Sequence, residues 1–186
     1  MALPIITDRL VIERFTETHL YNPNYLDWLS DRDNLKALNL ITYILNPVSI
    51  NELRNYYEAF LRRDRDILLA VSMRDTSQFV GTVALREIGY KGLFDLGILI
   101  GEKTVRGLGI AREVISAVTL FAFSEMQARK ICSSFAENNV AVMLAFIKNG
   151  YKIEGLQRDQ QLTIDGELAS RYIVGLLERD RMFASY

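Results

Sequence analysis

The stretch from residue 93 to residue 111 constrains the fold more than any other part of the chain. An apolar strand at residues 93–101 leads through a short turn into Arg106-Gly107-Leu108-Gly109-Ile110-Ala111, which opens a helix. Glycine has no Cβ atom, so such a turn can adopt positive φ angles and expose consecutive backbone N–H groups. Amides at the start of a helix have no helical partner, and the helix dipole favours an anion beside them. The pattern predicts a phosphate-binding turn between a strand and a helix.

The turn alone does not identify its ligand. Arg106 adds a guanidinium that suits phosphate oxygens, so a pyrophosphate is a natural guest. A nucleoside triphosphate P-loop would need Gly-Lys-Ser/Thr, which does not follow here. A Rossmann dinucleotide site would need a third glycine within a parallel βαβ unit, whereas the preceding strands meander. A glycine-rich turn with no ligand fits this motif equally well.

Hydrophobic periodicity predicts an α/β chain around this stretch. Strands are expected at residues 9–15, 66–73, 79–88, 93–101, 130–135, 151–162 and 172–177, and helices at 16–28, 49–62, 110–121 and 140–148. These elements form a mixed, mostly antiparallel central sheet of about seven strands, with helices on both faces. No repeat or linker divides residues 1–186, so we expect a single domain.

Composition argues against several classes of protein. The net charge is −1 and no Lys/Arg-rich run occurs, so no nucleic-acid partner is expected. The only cysteine is Cys132 and the only histidine is His19, so we expect neither a disulfide nor a metal site. The apolar stretches are too short to cross a bilayer, and Pro4 with early charges is unlike a signal peptide. We expect a cytoplasmic protein without a membrane partner.

Two segments resemble the GNAT (Gcn5-related N-acetyltransferase) superfamily. Arg106-x-x-Gly109-x-Ala111 is similar to its (Gln/Arg)-x-x-Gly-x-(Gly/Ala) signature, and residues 139–151 are similar to its N…K-x-G-(Phe/Tyr) segment. Residues 7–10, Thr-Asp-Arg-Leu, and residues 150–155 also resemble the RimJ/RimL type. The resemblance implies a GNAT fold and direct transfer of an acetyl group from acetyl-CoA to a primary amine in a ternary complex.

The resemblance also implies where acetyl-CoA binds. The strand before the turn would pair with the pantetheine arm, a bulge would splay this strand from the next one, and the turn would hold the pyrophosphate. The implied cofactor residues are Ile98, Leu99, Ile100, Arg106, Gly107, Leu108, Gly109, Ile110, Ala111, Asn139 and Phe146. Asn139 also fits an ordinary helix N-cap, and both roles can hold together.

For catalysis, the resemblance places a general base at Asp95, with Glu87 on the preceding strand as the rival. Asp95 can also be interpreted as a strand aspartate that faces solvent or closes a salt bridge. Many GNAT enzymes protonate the leaving thiolate with a tyrosine at the position of Phe146 here. The acid would then be Tyr151, Ser134 or water, or the thiolate would leave unassisted.

The acceptor is expected beside Tyr25 and Trp28, because residues 25–31 resemble a Y-x-x-W-L-x-D segment of bacterial members linked to sugars and small metabolites. Candidate acceptors are a small amine, amino sugar, polyamine or amino acid, or a protein N-terminal amine. The alternative is a catalytically silent acyl-CoA-binding protein, sensory or structural, which Phe146 favours. A monomer and a homodimer are both compatible with the sequence.

Overall fold

The central sheet has eight strands in the computed structural model, which describes residues 2–38, 40, 43–44 and 46–181. In chain order the strands are β1 (Ile5–Ile6), β2 (Leu10–Arg14), β3 (Ile67–Met73), β4 (Phe79–Glu87), β5 (Leu93–Ile100), β6 (Lys130–Ala136), β7 (Lys152–Leu162) and β8 (Leu168–Leu177). Their order across the sheet is β1-β2-β3-β4-β5-β6-β8-β7. Only β5 and β6 pair in parallel. The predicted mixed, mostly antiparallel sheet is confirmed, with the short β1 added to the seven expected strands.

Helices cover both faces of the sheet, as predicted. They are α1 (Glu17–Leu20), α2 (Pro23–Ser30), α3 (Arg32–Leu38), α4 (Ile50–Leu61), α5 (Ile110–Ser124), α6 (Val140–Ile147) and α7 (Glu178–Arg181), with a 3-10 turn at Lys103–Val105. On one face, Trp28 of α2 and Leu53 of α4 join a buried cluster with Leu68 of β3. On the other face, Val118 of α5 packs in a second cluster with Phe94 of β5.

Local sequence signals set the starts of α2 and α4. Pro23 occupies the first turn of α2, and the Asn22 side chain accepts a hydrogen bond from the Asn24 N–H at 3.0 Å. The region predicted as one helix at residues 16–28 therefore forms two helices, and the second begins at Pro23. A capping box starts α4, because the Ser49 N–H donates to Glu52 Oε2 at 2.7 Å and the Glu52 N–H donates to Ser49 Oγ at 3.3 Å.

The two parallel strands separate along their length. They pair only at Leu93↔Lys130, Phe94↔Ile131 and Asp95↔Cys132, although β5 runs on to Ile100 and β6 to Ala136. Ser133 Oγ donates to the Leu96 carbonyl at 2.8 Å where the strands part. The pairing of β5 with β4 continues without a register shift, so the expected bulge is not seen there. A wedge therefore opens at the carboxyl ends of β5 and β6.

Candidate active site

A cavity of about 410 Å³ lies between the carboxyl end of β5, the glycine turn and helix α6. Most of the predicted cofactor residues line it: Ile98, Leu99, Ile100, Arg106, Gly107, Gly109, Ile110, Ala111 and Asn139. Leu108 and Phe146 do not. The wedge edge of β5 beyond Asp95 has no strand partner in the described sheet, so its backbone groups can pair with an extended ligand. The cavity therefore extends from the free edge of β5 to the glycine turn.

The glycine turn has the backbone geometry that its sequence predicts. Gly107 has φ 76° and Gly109, the N-cap of α5, has φ 78°. Both angles lie in the left-handed region, which side chains with a Cβ rarely adopt. The first amides of α5 have no partner within the helix and border the cavity, so they can bind a phosphate oxygen.

Arg9 braces this turn from behind. Its Nη1 donates to the Leu108 carbonyl at 2.8 Å, and its Nε donates to Glu113 Oε2 at 2.7 Å. Thr7 Oγ1 donates to the other oxygen of Glu113 at 2.6 Å. The segment at residues 7–10 thus has a physical role, because it fixes the back of the turn to the first turn of α5. Leu108 contributes a carbonyl to this brace and leaves its side chain exposed.

The Arg106 side chain has a different role from the one the sequence suggested. Its guanidinium donates to the carbonyls of Ile100 at 3.2 Å and Gly101 at 2.9 Å, and also to Asn34 Oδ1. Asn34 Nδ2 in turn donates to the Trp28 carbonyl at 2.9 Å. Arg106 therefore connects the end of β5 to α3. Few of its N–H donors are left to bind a phosphate.

Two further cationic side chains line this cavity, although neither was predicted as a cofactor residue. Arg112 in the first turn of α5 and Lys148 after α6 are both exposed and border it. Lys148 lies in the quoted N…K segment, so the signal for it was present. Arg112 has no motif signal, and only its place one turn into α5 reveals it.

Helix α6 contributes small side chains to the cavity rather than Phe146. Asn139 Oδ1 caps the helix by accepting from the Val142 N–H at 3.3 Å. Phe146 is completely buried, stacked on Phe135 at 5.8 Å and edge-on to Tyr151 at 4.9 Å. The expected contact between Phe146 and the cofactor is therefore wrong, and Ala145 of the same helix lines the cavity instead.

Tyr151 is likewise buried and lines neither this cavity nor the second one described below. It is 2% exposed, and its hydroxyl is hydrogen-bonded to Thr119 Oγ1 at 2.7 Å on the core side of α5. Burial raises its pKa far above the ordinary range for tyrosine. Ser134 instead lies on the open side of β6, where its hydroxyl accepts a hydrogen bond from Arg171. Of the groups considered as acids, Ser134 and water are left.

A second cavity, of about 280 Å³, lies on the α1–α4 face and meets the first one at β5. The two share Leu38, Ile98 and Leu99 as lining residues. Tyr25, predicted to lie beside the acceptor, lines the second cavity. The junction on β5 is where two ligands could meet.

Trp28 does not line either cavity, contrary to its predicted place. It is buried against Phe79, with ring centroids 4.9 Å apart. A Cβ atom at Gly101 would overlap the indole, so only glycine lets the end of β5 pass this close. Trp28 therefore supports the strand end and does not contact the space for an acceptor.

Asp95 lies on the same face of β5 as Gly97 and Leu99, which line the second cavity, because side chains alternate along a strand. Its strand neighbours are Arg86 on β4 and Cys132 on β6. No described residue forms an ion pair or hydrogen bond with its carboxylate. Burial raises the pKa of Asp95, and the cations Arg86 and Arg171 oppose this only in part.

Glu87 is committed to the β4–β5 turn. Its Oε1 accepts from the Gly92 N–H at 2.7 Å and lies 3.2 Å from Arg65 Nη2. The Gly92 N–H, helped by Arg65, lowers the pKa of Glu87. It pairs with Phe94, one residue before Asp95, and so faces the opposite side of the sheet. The prediction of Glu87 as a rival base is wrong.

The acetyltransferase (GNAT) domain family matches residues 9–152 of this chain. The chain belongs to the GNAT acetyltransferase family. The matched range covers the brace at Arg9, the wedge, the glycine turn and helix α6. Membership of this family and the fold support acyltransferase activity.

Known relatives agree with this membership. The probable N-acetyltransferase YjcK of Bacillus subtilis (strain 168) is 25% identical over 126 residues, which cover 67% of this chain and 68% of the relative. A spermidine N-acetyltransferase from Vibrio cholerae, solved with CoA and spermine, has a TM-score of 0.79 at 18% identity, covering 95% of this chain and 99% of that chain. A GNAT acetyltransferase from Bacillus anthracis has a TM-score of 0.77 at 18% identity, covering 94% and 98%. The two structures show the shared fold.

Two further properties concern metal binding and membranes. Within the described ranges, no group of three or more His, Cys, Asp and Glu side chains is arranged to hold a metal ion. No helix in that same part of the chain is long and apolar enough to span a bilayer.

Proposed function

We propose that this protein is an acetyl-CoA-dependent N-acetyltransferase that acetylates a primary amine by direct transfer in a ternary complex. The observation that carries the proposal is the meeting of two cavities at Ile98 and Leu99. The first suits an extended cofactor, with the pantetheine along β5 and the pyrophosphate at Gly107 and Gly109. The second suits the acceptor amine.

Direct transfer fits the state of Cys132, the one thiol in the chain. Burial raises the pKa of the Cys132 thiol to about 11, with the Asp95 carboxylate adding to the effect. A thiol is nucleophilic as its thiolate, so at neutral pH Cys132 is a poor acceptor for an acetyl group. The acetyl group therefore passes from CoA to the amine without a covalent enzyme intermediate.

In the proposed reaction Asp95 is the general base. The amine nitrogen attacks the thioester carbonyl, and the C–N bond forms as its proton passes to Asp95 directly or through water. A free N–H on the wedge edge of β5 stabilises the oxyanion. The C–S bond then breaks, and the CoA thiolate takes a proton from water or Ser134, or leaves without one.

The finer placement is also part of this proposal. The contacts of Thr7 and Arg9 with the glycine turn and α5 support a RimJ/RimL-like member. We also propose that residues 1–186 form one domain and that the protein works in the cytoplasm as a monomer or homodimer. The V. cholerae neighbour is a spermidine acetyltransferase by name, and a small amine is the natural first acceptor to test here. Amino sugars and protein N-terminal amines are the other two acceptor classes.

The test is a panel of amines with acetyl-CoA, reading thiol release together with the mass of the acetylated product. Turnover with one class of amine supports the proposal, and Asp95→Asn should turn over the same amine about a hundredfold or more slowly. Calorimetry with CoA runs beside it. A protein that binds CoA but releases no thiol with any amine would be the catalytically silent acyl-CoA-binding protein. A protein that prefers ATP or NAD to CoA would overturn both readings.

A further inference from the structure

The second cavity, which the proposed function assigns to the acceptor and which is called the acceptor cavity below, has an unusual charge for an amine site. Three tyrosines, Tyr25, Tyr43 and Tyr56, contribute to its wall together with Thr82. Arg86 is the only charged side chain that lines the cavity among the described residues, and no carboxylate does. Burial raises the pKa of both Tyr25 and Tyr56, so these phenols are neutral and contribute no negative charge.

The Arg86 side chain is oriented by aromatic rings. Its guanidinium carbon lies 4.6 Å from the centroid of Phe60 and 5.1 Å from that of Tyr56. Stacking on rings holds the plane of the guanidinium and leaves N–H donors around its edge. Arg86 is half-buried, and no described carboxylate lies within ion-pair distance of it. Its close neighbours Tyr56 and Phe60 carry no negative charge, so a bound anion would offset the cost of partly desolvating this cation.

The surroundings of Arg86 add to the positive charge. Farther along the same face Arg171 donates to Ser134, and it also acts on Asp95. Lys130 and Glu154 neutralise each other at 2.6 Å. Two arginines, Arg86 and Arg171, and one unpaired carboxylate, Asp95, therefore lie on this face of the described sheet. Such a surface repels a polycation and attracts an anion.

We propose that the acceptor is a small primary amine that also carries a carboxylate or a phosphate, which Arg86 binds. The inference rests on the proposed function, because it names the class of acceptor for the same reaction. Arg86 and Asp95 are direct cross-strand neighbours. The anion and the amine are therefore held a short distance apart, with the amine toward Asp95 and the thioester. A polyamine such as spermidine supplies no group for Arg86.

The test compares amines that differ only in the anion. Lysine is matched with cadaverine and glucosamine 6-phosphate with glucosamine, so the two pairs separate a carboxylate from a phosphate, and spermidine is the cationic control. We expect the anionic member of one pair to have a kcat/KM about tenfold or more above its partner. Arg86→Gln should erase this preference through the acceptor KM and leave the acetyl-CoA KM unchanged. Arg86→Lys should restore part of it.

Two results would overturn the inference. One is a preference for cadaverine, glucosamine or spermidine over the anionic amines. The other is an equal fall in kcat for both members of a pair in Arg86→Gln, which would mean that Arg86 acts only on Asp95. Calorimetry of the same amines with the CoA-loaded protein separates this inference from the proposed function. If no amine turns over but the anionic member binds, and binds Arg86→Gln at least tenfold more weakly, then the proposed function fails and anion recognition stands.

Discussion

The two cavities that meet on β5 differ in the groups that form their walls. The cofactor cavity depends on backbone: a free strand edge, two left-handed glycines and the first amides of α5. The acceptor cavity depends on side chains, with Tyr25, Tyr56 and Arg86 coming from separate elements. The first should therefore respond to changes in backbone geometry, and the second to changes in chemical groups. Four substitutions test this difference.

The largest effect is expected at Asp95, on the side-chain half of the site. Asp95→Asn keeps the size and removes the proton acceptor, so kcat should fall by about a hundredfold or more. Affinity for acetyl-CoA, measured by calorimetry, should not change. Activity should recover partly at high pH as free amine accumulates. Glu87→Gln is the matched control, since that carboxylate is committed to the β4–β5 turn. A normal Asp95→Asn enzyme beside an inactive Glu87→Gln enzyme would move the base to β4.

The backbone half is tested by Gly109→Val. A β-branched residue is strained at φ 78°, so the turn must change shape to accept it. We expect affinity for CoA to fall by roughly tenfold to a hundredfold, as strain of about 1–3 kcal/mol implies. Leu108→Ala, at an exposed side chain in the same turn, should bind CoA normally. Equal losses in both variants would show that side chains of the turn hold the cofactor.

A smaller effect is expected at Arg9, which supports the turn without lining the cavity. Arg9→Ala removes the donor to the Leu108 carbonyl and the partner of Glu113. We expect a loss of CoA affinity of several-fold to about tenfold, with the acceptor KM unchanged. Arg74→Ala is the control, since Arg74 contacts the Thr7 carbonyl but not the turn. If acceptor KM rises instead, the two halves of the site are coupled through β2.

The smallest effect is a change in pH dependence for Arg86→Gln. Arg86 lowers the pKa of Asp95, so its loss should raise that pKa further. Asp95 must be deprotonated to accept a proton, so the acidic limb of the kcat profile should move to higher pH. The other groups near Asp95 are Arg171, Cys132 and Tyr56, and none is altered by this substitution. Arg86→Lys should keep the profile in place, and a shift in Arg86→Lys would show that geometry matters more than charge.

The same contrast explains what the sequence could predict. A left-handed turn needs glycine, so Gly107 and Gly109 are visible locally, and strand alternation gives the face of Asp95. The role of Arg86 could not be predicted from the sequence, because the rings that orient it, Tyr56 and Phe60, lie on α4 and approach Arg86 only in the folded chain. Backbone-built sites can be recognised from short segments, whereas side-chain sites depend on tertiary packing.

Phe146 shows a second limit of sequence reasoning. Its place in a family segment gives a position on α6 but not the direction of its side chain, which the packing against Phe135 and Tyr151 decides. Helix α3 was also missed, because it is only seven residues long and three of them are charged, which leaves too short an apolar pattern to recognise. Its position depends on distant partners, such as the Asp165 carboxylate that pairs with Lys36.

The anchors of α3 limit how this enzyme can be given a new substrate. The Arg106 guanidinium holds that helix through Asn34, and Asp165 of the β7–β8 turn holds it through Lys36. A segment grafted from a relative in place of residues 17–38 would supply a different wall for the acceptor. Without an amide at position 34 it would also release the end of β5, so the graft would damage thioester placement along with specificity. A designed chimera should therefore keep Asn34 and Lys36 and vary the tyrosines and leucines between β2 and β3.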